Sequence, residues 1–128
     1  MKQIACQKQV LNQDECINAL KIVLADPGLR KKTAVYALEL EDFKQFNSTF
    51  GYAYGDLLIA EIQHYLAGFD GVEVFRVSGV GFVLIKRATN YTQADEVAAE
   101  IAQRFNDIWH IREMDCVCAM NLGALYPT

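Results

Sequence analysis

Glu39-Leu40-Glu41-Asp42-Phe43-Lys44-Gln45-Phe46-Asn47-Ser48-Thr49-Phe50-Gly51-Tyr52-Ala53-Tyr54-Gly55-Asp56 is the stretch whose reading decides the fold. Its first residues close an alternating run that begins at Thr33. Ala34, Tyr36, Leu38 and Leu40 share one face of a strand, and Glu39 and Glu41 share the other, because successive strand side chains point to opposite faces. Phe43 to Asn47 reads as a short helix, and Gly51 and Gly55 bracket a loop. From Asp56 to Leu66 the apolar residues Leu58, Ile59, Ile62, Tyr65 and Leu66 recur at helical spacing. Asp56 falls in the first turn of that helix, where unpaired N–H groups favour a carboxylate.

Working back from this stretch, a helix starts at Asn12 or Asp14. Ile17, Leu20, Ile22 and Leu24, mixed with Ala19 and Val23, form its apolar stripe. Asp26-Pro27-Gly28 stops it. Working forward, Val72–Val77 and Phe82–Ile85 are strands joined through Ser78-Gly79-Val80-Gly81, a hairpin with glycine in its turn. Thr92 caps a further helix, with Asp95 three residues on, and Val97, Ala98, Ile101, Ala102 and Phe105 form its buried face. Strands from Ile108 to Arg112 and from Cys116 to Leu125 close the chain, separated by Glu113-Met114-Asp115. The order predicts one α+β domain over residues 1–128. Its sheet is mainly antiparallel with flanking helices, and its centre is a β-α-β-β-α-β unit of ferredoxin-like, palm-like type.

At 128 residues the chain is long enough to bury a core. A net charge of −4 argues against a nucleic-acid-binding face. Arg30-Lys31-Lys32 is the one dense basic run, read as a solvated loop with a phosphate or partner contact as the alternative. No apolar run approaches the roughly 20 residues that span a membrane, and no secretory signal follows Met1. Cys6, Cys16, Cys116 and Cys118 lack a second pair at zinc-like spacing, and His64 and His110 stand alone. Reduced thiols suit a cytoplasmic protein.

The quoted stretch resembles the signature of the GGDEF family, Asp-x-Asp-x-Phe-Lys-x-x-Asn-Asp-x-x-Gly-His-x-x-Gly-Asp. Phe43, Lys44, Asn47, Gly51, Gly55 and Asp56 match it in identity and spacing. Arg76-Val77-Ser78-Gly79-Val80-Gly81-Phe82 falls where the family has Arg-x-Gly-Gly-Asp-Glu-Phe, and only Arg76, Gly79 and Phe82 agree. Val10-Leu11-Asn12 and Asn121-Leu122-Gly123 are weaker echoes of the family's Leu-x-Asn and Ser-Ile-Gly. The resemblance covers roughly residues 8 to 125. The helix and final strand with which the family continues are absent, so the expectation is a piece of a longer protein.

The resemblance implies the GGDEF fold and a relation to diguanylate cyclases, which join two GTP molecules into cyclic di-GMP. Such transfer depends on positioning and on divalent ions held by carboxylates. The family's metal ligands fall on Glu39, longer by a methylene than the usual aspartate, and on Val80, which offers no ligand; the next acidic position is Gly81. Glu39 is left as the residual metal candidate, and Ser78, Gly79, Val80, Gly81 and Phe82 as a degenerate motif with no catalytic residue. Asn47 and Asp56 match the family's guanine readers, and Lys44 a residue near the phosphates. They are the candidate nucleotide-binding residues, for GTP held weakly with magnesium. Plain structural readings stand beside them: Asp56 as a helix-starting carboxylate and Asn47 as a helix C-cap. The family's product-inhibition positions fall on Phe69 and Val72, which cannot grip a phosphate. Tyr52 and Tyr54 are read as core aromatics or part of an interaction surface, and Trp109 and His110 as packing residues. The expectation is a catalytically inactive signalling domain acting in regulation, dimerisation or GTP sensing. EAL phosphodiesterase or sensor domains of the same protein are its implied partners, homodimerisation is a further one, and no nucleic acid is expected. An active cyclase with unusual ligands and a ligand-free interaction domain are the alternatives.

Overall fold

The structure, a computed structural model, describes residues 12–127; Val10, Leu11 and Cys6 lie outside them. Helix α1 (Gln13–Ala25) begins after Asn12, whose backbone N–H donates to the Arg76 carbonyl at 2.7 Å. The inward residues of α1 are Cys16 and Val23, while Ile17, Ile22 and Leu24 of the expected stripe are exposed. The stop signal at Asp26-Pro27-Gly28 also starts α2 (Pro27–Arg30). The Asp26 carboxylate accepts from the N–H groups of Gly28 and Leu29, satisfying donors that a helix start leaves open. Arg30 closes α2 and donates to the Leu24 carbonyl at 2.6 Å.

Strand β1 (Ala34–Leu40) buries Ala34, Tyr36, Leu38 and Leu40, as the alternation requires. Helix α3 (Phe43–Phe50) runs three residues beyond Asn47. The expected loop between Gly51 and Gly55 does not exist. Gly51, at φ 94°, makes the turn alone, and α4 (Tyr52–Ala67) starts at once. A positive φ at that value suits glycine and little else, so two helices abut with a single residue between them. Asp56 is therefore in the second turn of α4 rather than its first.

The hairpin forms as expected from β2 (Val72–Arg76) and β3 (Gly81–Lys86), in a register that pairs Val72 with Lys86 and Arg76 with Phe82. Helix α5 (Tyr91–Phe105) is capped by Asn90, not Thr92. The Asn90 side chain accepts from the Gln93 N–H at 2.9 Å. Val97, Ala98, Ile101 and Phe105 face the core as expected; the stripe extends one turn earlier to the buried Ala94, and Ala102 is exposed. Asn90→Ala is expected to cost about 1 kcal/mol of stability, read as a lower midpoint in urea denaturation with an unchanged slope. The segment Glu113-Met114-Asp115 is not a spacer. Strand β4 (Trp109–Ile111) pairs back onto β5 (Met114–Cys116) as a separate ribbon, and β6 (Met120–Leu125) starts only after it. The tight turn is carried by Arg112 at φ 54°.

The main sheet has the order β2-β3-β1-β6, with every neighbouring pair antiparallel. That is the ferredoxin-like arrangement, with the β4–β5 ribbon inserted before the last strand. One face carries the main core, in which Tyr36, Leu38, Leu58, Ile62, Leu66, Phe82 and Leu84 are essentially inaccessible. Burial of each such side chain contributes about 1.5–3 kcal/mol, and the Tyr36 hydroxyl is satisfied by the Ala94 carbonyl at 2.7 Å. The other face has a smaller cluster where Phe75 and Ile85 pack on Cys16 of α1. No helix of the described residues is long and apolar enough to cross a membrane.

Candidate functional site

Asn47 sits in the body of α3, not at its end, so it is not a cap. Its backbone carbonyl accepts from the Gly51 N–H at 2.8 Å, as a helical carbonyl should. Its side chain lies against the backbone of α4 at Gly55. A Cβ added to Gly55 would stand 1.9 Å from Asn47 Oδ1. The glycine is thus required by the side chain that approaches it, a use of glycine inside a helix that offsets its poor helix propensity. Oδ1 of Asn47 is buried and has no hydrogen-bond partner among the described residues. Buried side-chain oxygens are nearly always paired, so an orphan calls for an explanation. Asp56 follows Gly55 directly in α4. Lys44 lies one turn before Asn47, exposed beside Asp42 and Ser48.

Glu39 lies elsewhere. Its neighbours across the sheet are Gly81 on β3 and Asn121 on β6, and Leu38 and Leu40 on either side of it are buried. Its carboxylate therefore stands on the sheet face away from the main core. There it lines an open depression of about 450 Å³ with Ser78, Gly81 and Asn121. Val80 takes no part in that depression. Its side chain packs against the main core, and its carbonyl accepts from the Leu40 N–H at 2.9 Å. The turn is closed further by Arg76, which donates to the Gly79 carbonyl at 2.9 Å, and by the Val77 N–H donating to the Gly81 carbonyl at 2.9 Å. Asn121 on β6 donates to Glu41 at 3.2 Å.

Of the other singled-out residues, Phe69, Val72, Tyr54 and Trp109 have packing roles, whereas His110 and Tyr52 do not. Phe69 and Val72 pack against the main core, and Phe69 meets Tyr65 edge-on with ring centroids 5.5 Å apart. Trp109 is 2 % exposed, and the Arg104 guanidinium lies over its ring at 3.7 Å. His110 is exposed and paired with Asp115. Tyr52 projects into solvent, whereas Tyr54 is partly buried on the core. Among the described residues the thiols of Cys16, Cys116 and Cys118 are free, and burial, then the nearby Cys116, pushes Cys118 up to about 11. No three His, Cys, Asp or Glu side chains among the described residues converge as a metal site would need. Glu39 is the one carboxylate among the described residues lining that depression, and alone it does not make a set that fits a divalent ion.

Residues 8–127 match the family described as diguanylate cyclase, GGDEF domain. The chain belongs to the GGDEF domain family. The relatives of this GGDEF domain include the bifunctional diguanylate cyclase/cyclic di-GMP phosphodiesterase MucR of Pseudomonas aeruginosa, 25% identical over 93% of this chain and 17% of MucR. The diguanylate cyclase DgcZ of Escherichia coli is 32% identical over 52% of this chain and 23% of that protein. The chain thus spans less than a quarter of either relative's length. Among solved structures, the GGDEF domain of FimX from Pseudomonas aeruginosa superposes with a TM-score of 0.72. It is 11% identical, over 88% of this chain and 72% of that one, a likeness of fold alone.

Proposed function

We propose that this GGDEF domain is a non-catalytic regulatory module of a cytoplasmic protein in cyclic di-GMP signalling, joined to EAL or sensor domains in a longer chain. The observation that carries the reading is the β2–β3 turn. Two of its positions, Val80 and Gly81, stand where the family signature is acidic, and Val80 packs, partly buried, against the core. Chemistry on a polyphosphate needs divalent ions fixed by oxygen ligands. An isopropyl group and a glycine supply none, and Glu39 alone cannot fix two ions.

Electron paramagnetic resonance of Mn²⁺ tests this directly. Without nucleotide, adding the protein is expected to leave the free Mn²⁺ signal undiminished. Stoichiometric uptake of Mn²⁺ that disappears in Glu39→Ala would overturn the reading.

The Asn47–Gly55–Asp56 junction favours one further element, retention of a weak site for a guanine base. An amide can donate and accept, and a carboxylate accepts, which matches the edge of guanine. The buried, unpaired Oδ1 supports this element, and base recognition of this kind needs no metal.

A further inference from the structure

Phe43, Phe46 and Phe50 recur along one stripe of α3, and their rings touch in series, with centroids 5.5 and 5.0 Å apart. The stripe starts in the core at Phe43 and ends in solvent at Phe50, which is 47 % exposed. Val117, in the connection between β5 and β6, is 65 % exposed. Together these side chains wall a pocket of about 370 Å³ lined also by the exposed Glu41 and Asp42, and no lysine, arginine or histidine among the described residues lines it. Asp42 sits at φ 57° ahead of α3, and its side chain makes no capping bond to the helix.

We propose that this pocket docks a protein segment that offers a bulky aliphatic or aromatic side chain flanked by lysine or arginine. An apolar well inside a charged rim is where binding energy concentrates at protein interfaces. The two carboxylates select the sign of the partner. They repel phosphates, which disfavours nucleic acid and anionic lipid. They also disfavour a second copy of this chain. An isologous contact sets the same patch against itself, and Glu41 and Asp42 would face their own counterparts. The surface goes beyond the regulatory reading and stands whether or not guanine binds, since none of Asn47, Gly55 or Asp56 lines it.

Nuclear magnetic resonance of the ¹⁵N-labelled chain provides the test, with three capped tetrapeptides as probes. Acetyl-Arg-Leu-Phe-Lys-amide is expected to shift the amides of Phe46, Phe50, Val117 and Ala119 in a saturable, salt-sensitive way. Acetyl-Glu-Leu-Phe-Glu-amide and acetyl-Arg-Gly-Gly-Lys-amide are expected to do so far more weakly. Phe50→Ala and Asp42→Asn should each weaken the first peptide by about fivefold or more. Both variants should fold, because Phe50 is half exposed and asparagine tolerates the left-handed backbone at position 42. The proposal is overturned by equal binding of the acidic peptide, by shifts spread over other acidic surfaces, by unchanged affinity in both variants, or by no binding. Peptide-free dimerisation through these residues overturns it as well.

Discussion

Trp109→Ala is expected to lower the melting temperature by about 10–25 °C, the largest stability effect of any single truncation in this chain. Trp109 is the sole tryptophan and is almost wholly buried. It meets Phe105 at 5.2 Å and Tyr65 at 5.9 Å, and the Arg104 guanidinium covers it at 3.7 Å. Truncation removes the ring's transfer free energy and opens a cavity, together about 3–5 kcal/mol. It also strands the Arg104 charge beside an apolar hole. The whole stability of a domain this size is about 5–15 kcal/mol, so the variant sits near the edge of folding. Trp109→Phe separates the contributions. It keeps most of the apolar contact and removes an indole N–H that has no partner among the described residues, so its cost should be about 1 kcal/mol. Thermal melts followed by circular dichroism measure both. Equal losses in the two variants would mean that the indole N–H or the cation–π contact, not ring volume, dominates.

Asn47→Ala is expected to move stability and ligand binding in opposite directions. The change deletes a buried carbonyl oxygen that nothing among the described residues satisfies, and alanine is the better helix former, so the melting temperature should hold or rise. If the Asn47–Asp56 junction reads guanine, the same change should weaken GTP by at least about tenfold. Gly55→Ala reaches the same end by another route. Its new Cβ would occupy the space of Asn47 Oδ1 and force the amide away, while a helix-propensity gain of about 1 kcal/mol offsets the crowding. Calorimetric titration with GTP and melts of the three proteins decide the matter. A sharp fall in stability in Asn47→Ala would make the residue structural. Absence of heat in the unaltered protein at millimolar GTP would remove the base site.

Much of this molecule was legible in its sequence because alternation and helical spacing survive wherever a face is buried. The β1 residues Tyr36, Leu38 and Leu40 and the α4 residues Leu58, Ile62 and Leu66 all fall where their periodicity places them. Boundaries were less legible. Gly51 and Gly55 both look like turn residues, yet only Gly51 turns. Gly55 is glycine because Asn47 leans on it, and no local signal distinguishes the two reasons. Asn90 and Thr92 are both competent caps, and only the three-dimensional start of α5 chooses between them. The β4–β5 ribbon hid in a short run with charged residues at its turn, since a three-residue strand carries almost no periodicity. In α1, apolar residues lie on both the covered and the uncovered sides, so its stripe could not be phased from sequence. At the candidate site the residue types were visible, but not that Val80 faces the core while Glu39 faces away from it.

The most direct measurement is turnover. The purified chain is incubated with GTP and either magnesium or manganese, and the products are separated by chromatography. The expected result is unreacted GTP and no cyclic di-GMP above a protein-free blank, at any protein concentration that allows two copies to meet. Cyclic di-GMP formed by the unaltered chain, and lost in Glu39→Ala, would contradict the non-catalytic reading.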